Sequence, residues 1–203
     1  MSLRVALPWE VMERIIKHAS SDLNLLLSFS LTCRQLRPRS FSLIIAKYVL
    51  LGTKDQMSAL CSFLRKNTKF QVFVHSITIS LADFSPSPLV KMIPHISTLR
   101  LVSHIYEKYD DPQERPVIAL HPIILGAYRS FGSRIRTLSL DHLSFSTPCE
   151  LFGLLLAFPN MVQVACNDIR IKLPGGNAAA TQMARAKLFE QLQLETLKVR
   201  VHP

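Results

Sequence analysis

The chain has 203 residues, of which 48% are hydrophobic; this is enough for one domain of ordinary size plus a small appendage, and it excludes extensive disorder. No run of about 18 apolar residues predicts a membrane span, and the N-terminus lacks a signal-peptide layout, which is typical of a soluble protein of the cytoplasm or nucleus. The formal charge is +10, but Lys and Arg are spread along the chain instead of forming one stripe, so nucleic-acid binding is disfavoured.

The first predicted elements are two short amphipathic helices between Leu7 and Phe41. Pro8 suits a first helical turn, where its missing N–H costs nothing. One apolar face follows at helical spacing, formed by Val11, Met12, Ile15, Ile16 and Ala19. Ser20, Ser21 and Asp22 then interrupt the pattern, a second apolar face runs from Leu23 to Leu31, and Pro38 predicts the end of the second helix.

This segment resembles an F-box. The pattern consists of Leu7-Pro8, Ile15-Ile16, Asp22-Leu23 and Leu31-x-Cys33-Arg34. The resemblance implies docking onto a Skp-type adaptor and, through it, a cullin-based ubiquitin ligase. The implied adaptor-facing residues are Leu7, Pro8, Val11, Ile15, Leu31, Cys33 and Leu36. Many F-boxes have a tryptophan where this chain has Leu36, which predicts weaker docking; the alternative interpretation is a helical hairpin whose apolar residues are simply core.

The next segment predicts the first strand–helix unit. Phe41 to Leu51 is rich in β-branched and aromatic residues, which predicts a strand that is apolar on both faces, as in parallel sheets. Gly52 ends this strand. Thr53 and Gln56 have the spacing of a capping box, and the following apolar periodicity predicts a helix to about Lys66.

Similar units recur down the chain. Short strands with an apolar-x-apolar pattern are predicted at Ile77–Ile79, Leu99–Leu101, Leu138–Leu140, Val162–Val164 and Leu197–Val199. Helices are predicted between them at Pro88–Ile96, His121–Phe131, Pro148–Ala157 and Ala179–Leu192. The units resemble degenerate leucine-rich repeats, because L-x-L-x-x-N-x-L is complete only from Val162 to Ile169. In that family the repeat asparagine, here Asn167, bonds the backbone where the strand turns.

The predicted fold class is therefore α/β: a short all-helical F-box over residues 1–41, then a small leucine-rich-repeat-like strand–helix arc with a mainly parallel sheet over residues 42–203. Stacked units bury a continuous core, and one side of the sheet forms a concave surface. The side chains between the two apolar positions of each strand point to it, namely Thr78, Arg100, Ser139, Gln163 and Lys198. They are candidate target-binding residues or merely solvated ones.

Residues that would support catalysis or metal binding are scattered. No hydrolase, metalloprotease or dinucleotide motif is present, and Asp141-His142 with Ser144 and Ser146 is typical of a strand–helix turn. Neither a cofactor nor a metal is expected. The sequence favours a non-catalytic subunit that brings a protein substrate to a ubiquitin ligase, with a basic nucleic-acid-binding or scaffold protein as the alternative. Self-association is expected, because the last strand has nothing to cover its edge.

Overall fold

The computed structural model describes residues 8–32, 34–81, 86–89, 92–103, 117–118, 120–172, 179, 182–183, 185–186 and 195–200. The chain divides into two compact units, Met1–Val49 and Leu50–Pro203. None of the helices within the described ranges is both long enough and apolar enough to cross a membrane.

The first unit is helical. Its helices are α1 (Trp9–His18), α2 (Leu23–Thr32) and α3 (Arg37–Lys47), and a 3₁₀ turn (Ala19–Ser21) joins the first two. Asp22 caps α2, since its Oδ1 accepts a hydrogen bond from the Leu25 N–H over 3.0 Å.

The core of the helical unit is made by all three helices and the connections between them. Its buried residues are Ile16, Ala19, Leu26 and Leu36, against which Met12, Phe29, Leu43, Ile44 and Tyr48 pack. The Tyr48 hydroxyl donates to the Ser20 carbonyl over 3.0 Å, which ties the end of α3 to the 3₁₀ turn. The helical unit therefore has a small hydrophobic core of its own.

The predicted strand from Phe41 to Leu51 is wrong for most of its length. Residues up to Lys47 belong to α3, and only Val49–Leu51 is a strand. Pro38, expected to end a helix, lies instead in the first turn of α3, where it fits. The β-branched residues of this segment pack on the core of the helical unit, and this tertiary packing overrides their local preference for a strand. The helical unit, which includes α3, ends at Val49.

The second unit contains the sheet, whose first strand begins at Val49, the last residue of the helical unit. Its strands are β1 (Val49–Leu51), β2 (Ser76–Ser80), β3 (Thr98–Val102), β4 (Val117–Ile118), β5 (Thr137–Asp141), β6 (Ser144–Phe145), β7 (Gln163–Asn167), β8 (Arg170–Ile171) and β9 (Thr196–Arg200). Its helices are α4 (Lys54–Lys66), α5 (Pro122–Gly132) and α6 (Pro148–Leu155), with 3₁₀ turns at Thr68–Phe73 and Ser87–Leu89.

Six strands form one sheet in the order β1-β2-β3-β5-β7-β9, and β4-β6-β8 form a small second sheet. The pairs from β2 to β9 are all parallel, as are both pairs of the small sheet. The predicted α/β class with a mainly parallel sheet is confirmed. The strands are parallel because each connection carries the chain back to the end of the sheet at which the preceding strand began.

Most of the predicted helices of this unit are present. The capping box before α4 is confirmed in its first half, since the Gln56 N–H donates to Thr53 Oγ1 over 3.3 Å. Helices α5 and α6 coincide with two predicted segments. In Pro88–Ile96 the described residues form only the end of a 3₁₀ turn and further turns. Of Ala179–Leu192, the described residues 179, 182–183 and 185–186 are helical, and the others lie outside the described ranges.

The predicted register of β7 is wrong by two residues. Leu138 pairs with Val164, Ser139 with Ala165 and Leu140 with Cys166, so the strand follows Val164-x-Cys166 and not Val162-x-Val164. Asn167 therefore lies opposite Asp141, and it is Ile169 that corresponds to Leu143. The spacing that completed the repeat pattern at Val162–Ile169 does not describe the pairing of the strands.

Candidate functional site

Helix α1 carries two apolar stripes. Met12 and Ile16 face the core, and Ile16 is 1% exposed. Val11 and Ile15, one turn apart on another side of the helix, remain 40% and 41% exposed. Residues three or four apart on a helix are surface neighbours. Together with exposed Pro8, they form an apolar strip that the core of the helical unit does not use.

Helix α2 shows the same division. Leu26 is fully buried, whereas Leu27 is 41% and Leu31 is 83% exposed. Leu27 and Leu31 are four residues apart and so lie on one side of α2, away from the side that Leu26 turns to the core. A leucine exposed over four-fifths of its surface contributes little to folding.

These placements separate the seven predicted adaptor-facing residues into three groups. Pro8, Val11, Ile15 and Leu31 are exposed. Leu36 is 6% exposed and belongs to the core of the helical unit with Ile16 and Leu26, so it does not lie among the exposed residues. Leu7 and Cys33 lie outside the described residues.

The polar face of the large sheet carries the predicted target-binding residues. The strand register aligns them in one row across the sheet, Thr78, Arg100, Ser139, Ala165 and Lys198. Gln163 is not a member of this row, because it pairs with Thr137. It shares the face of the sheet with the row but lies two residues nearer the start of its strand. Sequence reasoning assigned Gln163 through the same wrong register and missed Ala165.

A buried carboxylate organises the end of this face. Asp141, the last residue of β5, has a side chain that is 2% exposed, and its Oδ2 lies 2.5 Å from Arg100 Nε. The Ser139 hydroxyl donates to the same oxygen over 3.0 Å, and the Asn167 amide donates to Oδ1. Three neighbouring strands thus each supply a donor to one carboxylate, which satisfies the buried charge.

A second set of polar residues follows directly after these strands. His142 Nδ1 lies 3.2 Å from Asp168 Oδ2, and Arg170 Nε lies 3.3 Å from Asp168 Oδ1. His142 and Asp168 occupy equivalent positions after β5 and β7, and both have left-handed backbone conformations, with φ of 57° and 52°. His and Asp are among the residues that tolerate this conformation best. The repeated turn starts the short strands β6 and β8.

Sequence reasoning missed the role of Asp141 and misassigned Asn167. Asn167 bonds a carboxylate and not, as expected for a repeat asparagine, the backbone at the turn. The available signal was the period of two in a strand, which places Asp141 on the same face as Ser139. The correct register of β7 was also needed to bring Asn167 opposite Asp141.

The nucleophilic side chains Cys61, Cys166 and Ser144 are wholly or partly buried. Burial, with the charge of Asp141 beside it, raises the pKa of the Cys166 thiol, and burial raises the pKa of Cys61, so both sulfurs are held as thiols. Asp141 is hydrogen-bonded to Arg100, Ser139 and Asn167, whereas His142 is paired with Asp168. Ser144 is 1% exposed, which closes it to a substrate. Within the described ranges, no three His, Cys, Asp or Glu side chains are grouped as metal ligands.

Comparisons with models of protein families, with curated proteins and with solved structures give no significant match to this chain.

Proposed function

We propose that this protein is the substrate-recognition subunit of a Skp–cullin–F-box ubiquitin ligase. The helical unit Met1–Val49 binds the Skp-type adaptor through Pro8, Val11, Ile15 and Leu31, and the unit Leu50–Pro203 holds a protein target. The subunit is not catalytic. It acts by position, since a target fixed to the ligase presents its lysines to the conjugating enzyme at a high effective concentration.

The supporting observation is the exposed apolar strip on a unit whose core is already complete. Val11, Ile15 and Leu31 remain 40%, 41% and 83% exposed while Ile16 and Leu26 are 1% and 0% exposed. Full burial of one such side chain contributes about 1.5–3 kcal/mol, so covering these side chains with a partner is favourable. Neighbouring apolar side chains left open to water, as Val11 and Ile15 are on α1, are typical of interaction surfaces.

The larger unit supports the second half of the proposal. Its strands present a polar row with two exposed cations, Arg100 and Lys198, on a rigid parallel sheet. Side chains on strands are held more precisely than those on loops. Such a face suits the selection of a target by charge and hydrogen bonding.

Co-purification with a Skp-type adaptor tests the proposal. We expect Ile15→Asp to abolish co-purification, because a charge placed in an apolar interface loses its hydration without gaining a partner. The matched control is Ile123→Asp, which makes the same change at a 70% exposed position of α5 in the other unit and should leave adaptor binding unchanged. Circular dichroism shows whether each variant keeps its helices. Equal recovery of the adaptor with Ile15→Asp and wild type would refute the docking surface.

Nucleic-acid binding is the alternative, and one segment favours it. Lys69 Nζ lies 5.3 Å from the centre of the Phe70 ring, and Arg65 and Lys66 nearby are exposed. Cations next to aromatic rings are typical of surfaces that bind single strands. We expect binding of an arbitrary oligonucleotide to be weak and to vanish near physiological salt, because few phosphates are neutralised. Tight binding at physiological salt would favour the alternative.

A further inference from the structure

The middle row of the polar face has a particular order of side-chain sizes. Arg100 on β3 and Lys198 on β9 are long, exposed and cationic, and between them lie Ser139 on β5 and Ala165 on β7, which are small. Neighbouring strands are about 4.8 Å apart, so the three steps from β3 to β9 span about 14 Å. The row therefore forms a shallow trough whose two outer strands each carry a cationic residue and whose middle strands carry small side chains.

Arg100 is held in a fixed orientation, with its side chain leaning from β3 toward Asp141 of β5. Its Nε is bound 2.5 Å from Asp141 Oδ2, which occupies one of the five N–H donors of a guanidinium. Its terminal nitrogens make no hydrogen bond to the described residues, and its side chain is 54% exposed. The charge of Asp141 is buried and shared with Ser139 and Asn167. In the ion pair of Arg100 with Asp141, the guanidinium is therefore the group that is exposed to a ligand, and its orientation is already fixed.

We propose that this trough binds an extended acidic segment of the target, with one carboxylate on Arg100 and a second on Lys198. This inference rests on the proposed function, because it names the chemistry by which the larger unit selects its target. In an extended segment, side chains four residues apart lie on the same side and are about 13–14 Å apart, which is close to the separation of the strands β3 and β9 that carry Arg100 and Lys198. Asp141 is a positioning residue, since it acts on the ligand only by orienting Arg100.

The direct test uses three labelled peptides of one extended, otherwise neutral sequence. They carry two glutamates four residues apart, two glutamines at the same positions, or two phosphoserines there. Fluorescence anisotropy measures their affinity for the full-length protein at physiological ionic strength. We expect the glutamate peptide to bind at least tenfold more tightly than the glutamine peptide, because each carboxylate gains charge-assisted hydrogen bonds. Equal affinities would overturn the proposal. A phosphoserine peptide that binds more than tenfold tighter than the glutamate peptide would also overturn it, in favour of a phosphorylated target.

Variants locate the binding. Arg100→Gln and Lys198→Gln should each weaken the glutamate peptide about tenfold, the loss of one charged contact. Arg129→Gln is the control, because it removes the same charge from an exposed position of α5 and should have no effect. Ala165→Leu should also weaken binding by raising the floor of the trough. If Arg129→Gln weakens binding as much as Arg100→Gln, net charge is responsible and the trough is refuted.

A test of Asp141 has to distinguish its positioning of Arg100 from a general effect on the structure. Asp141→Asn removes the charge at nearly constant shape and should weaken the peptide several-fold in the wild-type background. In the Arg100→Gln background the same change should have no further effect, because the residue that it positions is already absent. Equal losses in both backgrounds would contradict the positioning role. Adaptor co-purification, measured in parallel, separates the two proposals: failure of peptide binding with adaptor binding intact overturns the trough alone.

Discussion

In the helical unit, Val11, Ile15 and Leu31 remain between 40% and 83% exposed, whereas the seven aliphatic side chains on the inner face of β2, β3, β5 and β7 are exposed to 3% or less. The two units have similarly apolar segments and use them differently. The larger unit buries its inner-face side chains in its own core, and the helical unit keeps part of its apolar surface in contact with water.

This difference in exposure distinguishes the apolar residues that a unit needs for its own core from those that remain available for a partner. A helix needs one stripe of apolar side chains to pack on a small core, and α1 supplies that stripe with Met12 and Ile16 and adds Val11 and Ile15. The second stripe is surplus to folding, which is why we assign it to docking. In the larger unit the side chains that the core does not bury are polar, and the polar face of the sheet is the surface that we assign to recognition.

The largest effect is expected from the buried side of α2. Leu26→Ala should lower the free energy of unfolding of the helical unit by about 2–5 kcal/mol, because it leaves a cavity in a small core. Leu31→Ala, five residues further on the exposed side, should change it by less than about 0.5 kcal/mol. Urea denaturation followed by circular dichroism measures both. Similar losses for the two variants would mean that Leu31 is part of the core.

Two glycines of α5 test how closely the larger unit is packed. A Cβ on Gly132 would lie 1.7 Å from the Ala157 carbonyl oxygen, whereas one on Gly126 would meet nothing within 4 Å. Gly132→Ala should therefore lower the free energy of unfolding by about 1–3 kcal/mol, and Gly126→Ala should raise it by up to about 1 kcal/mol through its helix propensity. Thermal unfolding of the pair checks this. A neutral Gly132→Ala would show that α5 is loosely packed there.

Strand β9 differs from the other strands of the larger sheet, because its apolar side chains are exposed. Leu197 and Val199 are both 60% exposed, although they pair with Val164, which is 3% exposed, and with Cys166. We expect the protein to self-associate through this edge. Replacing both side chains with Lys should weaken self-association about tenfold or more, which corresponds to about 1.4 kcal/mol. Sedimentation velocity over a range of concentrations measures it, and a wild-type protein that stays monomeric throughout would contradict the expectation.

A smaller effect is expected at Tyr128, whose ring packs against Phe131 and Phe158. Its side chain is fully buried, and its hydroxyl has no hydrogen-bond partner among the described residues. Tyr128→Phe should raise the free energy of unfolding by about 1 kcal/mol, because an unpaired buried hydroxyl is removed.

The same variant tests the effect of burial on ionisation. Complete burial raises the pKa of Tyr128 well above the ordinary value, so the folded state keeps a proton that the unfolded chain releases above about pH 10. Below that pH the ionisation of Tyr128 does not lower the free energy of unfolding. Above it, the free energy of unfolding falls by about 1.4 kcal/mol per pH unit, because the unfolded chain releases the proton. Unfolding at pH 9 to 11 should show this loss in wild type, and the loss should be smaller in Tyr128→Phe. Identical pH profiles would contradict it.

Period-two patterns in the sequence predicted β2, β3 and β5 correctly, because a strand buried on one face leaves an unambiguous signature. The same residue pattern also predicted β9, although its apolar side chains are exposed. Residues 41–47 were assigned to a strand because β-branched residues favour one, and the packing of Leu43 and Ile44 on the helical core decided otherwise. The register of β7 was wrong because Val162, Val164 and Cys166 are all apolar, so the pattern fits two registers.

The polar cluster was harder to predict than the strands. Ser139, Asp141 and Asn167 each look like ordinary turn or strand-end residues in sequence, and their meeting depends on the pairing of β5 with β7. In the helical unit the apolar residues were identified, but their division into buried and exposed ones depends on the position of α3. This is why Leu36 was placed on the surface when it lies in the core.

We assign adaptor binding to the helical unit and target binding to the larger unit. The most direct test is the affinity of the full-length protein for a purified Skp-type adaptor, measured by isothermal titration calorimetry. Leu31→Asp should weaken this affinity at least about a hundredfold, because the introduced carboxylate is desolvated in an apolar interface. The double variant Arg100→Gln/Lys198→Gln should bind as wild type does. Wild-type affinity for Leu31→Asp, or loss of the adaptor in the double variant, would contradict the assignment of adaptor binding to the helical unit.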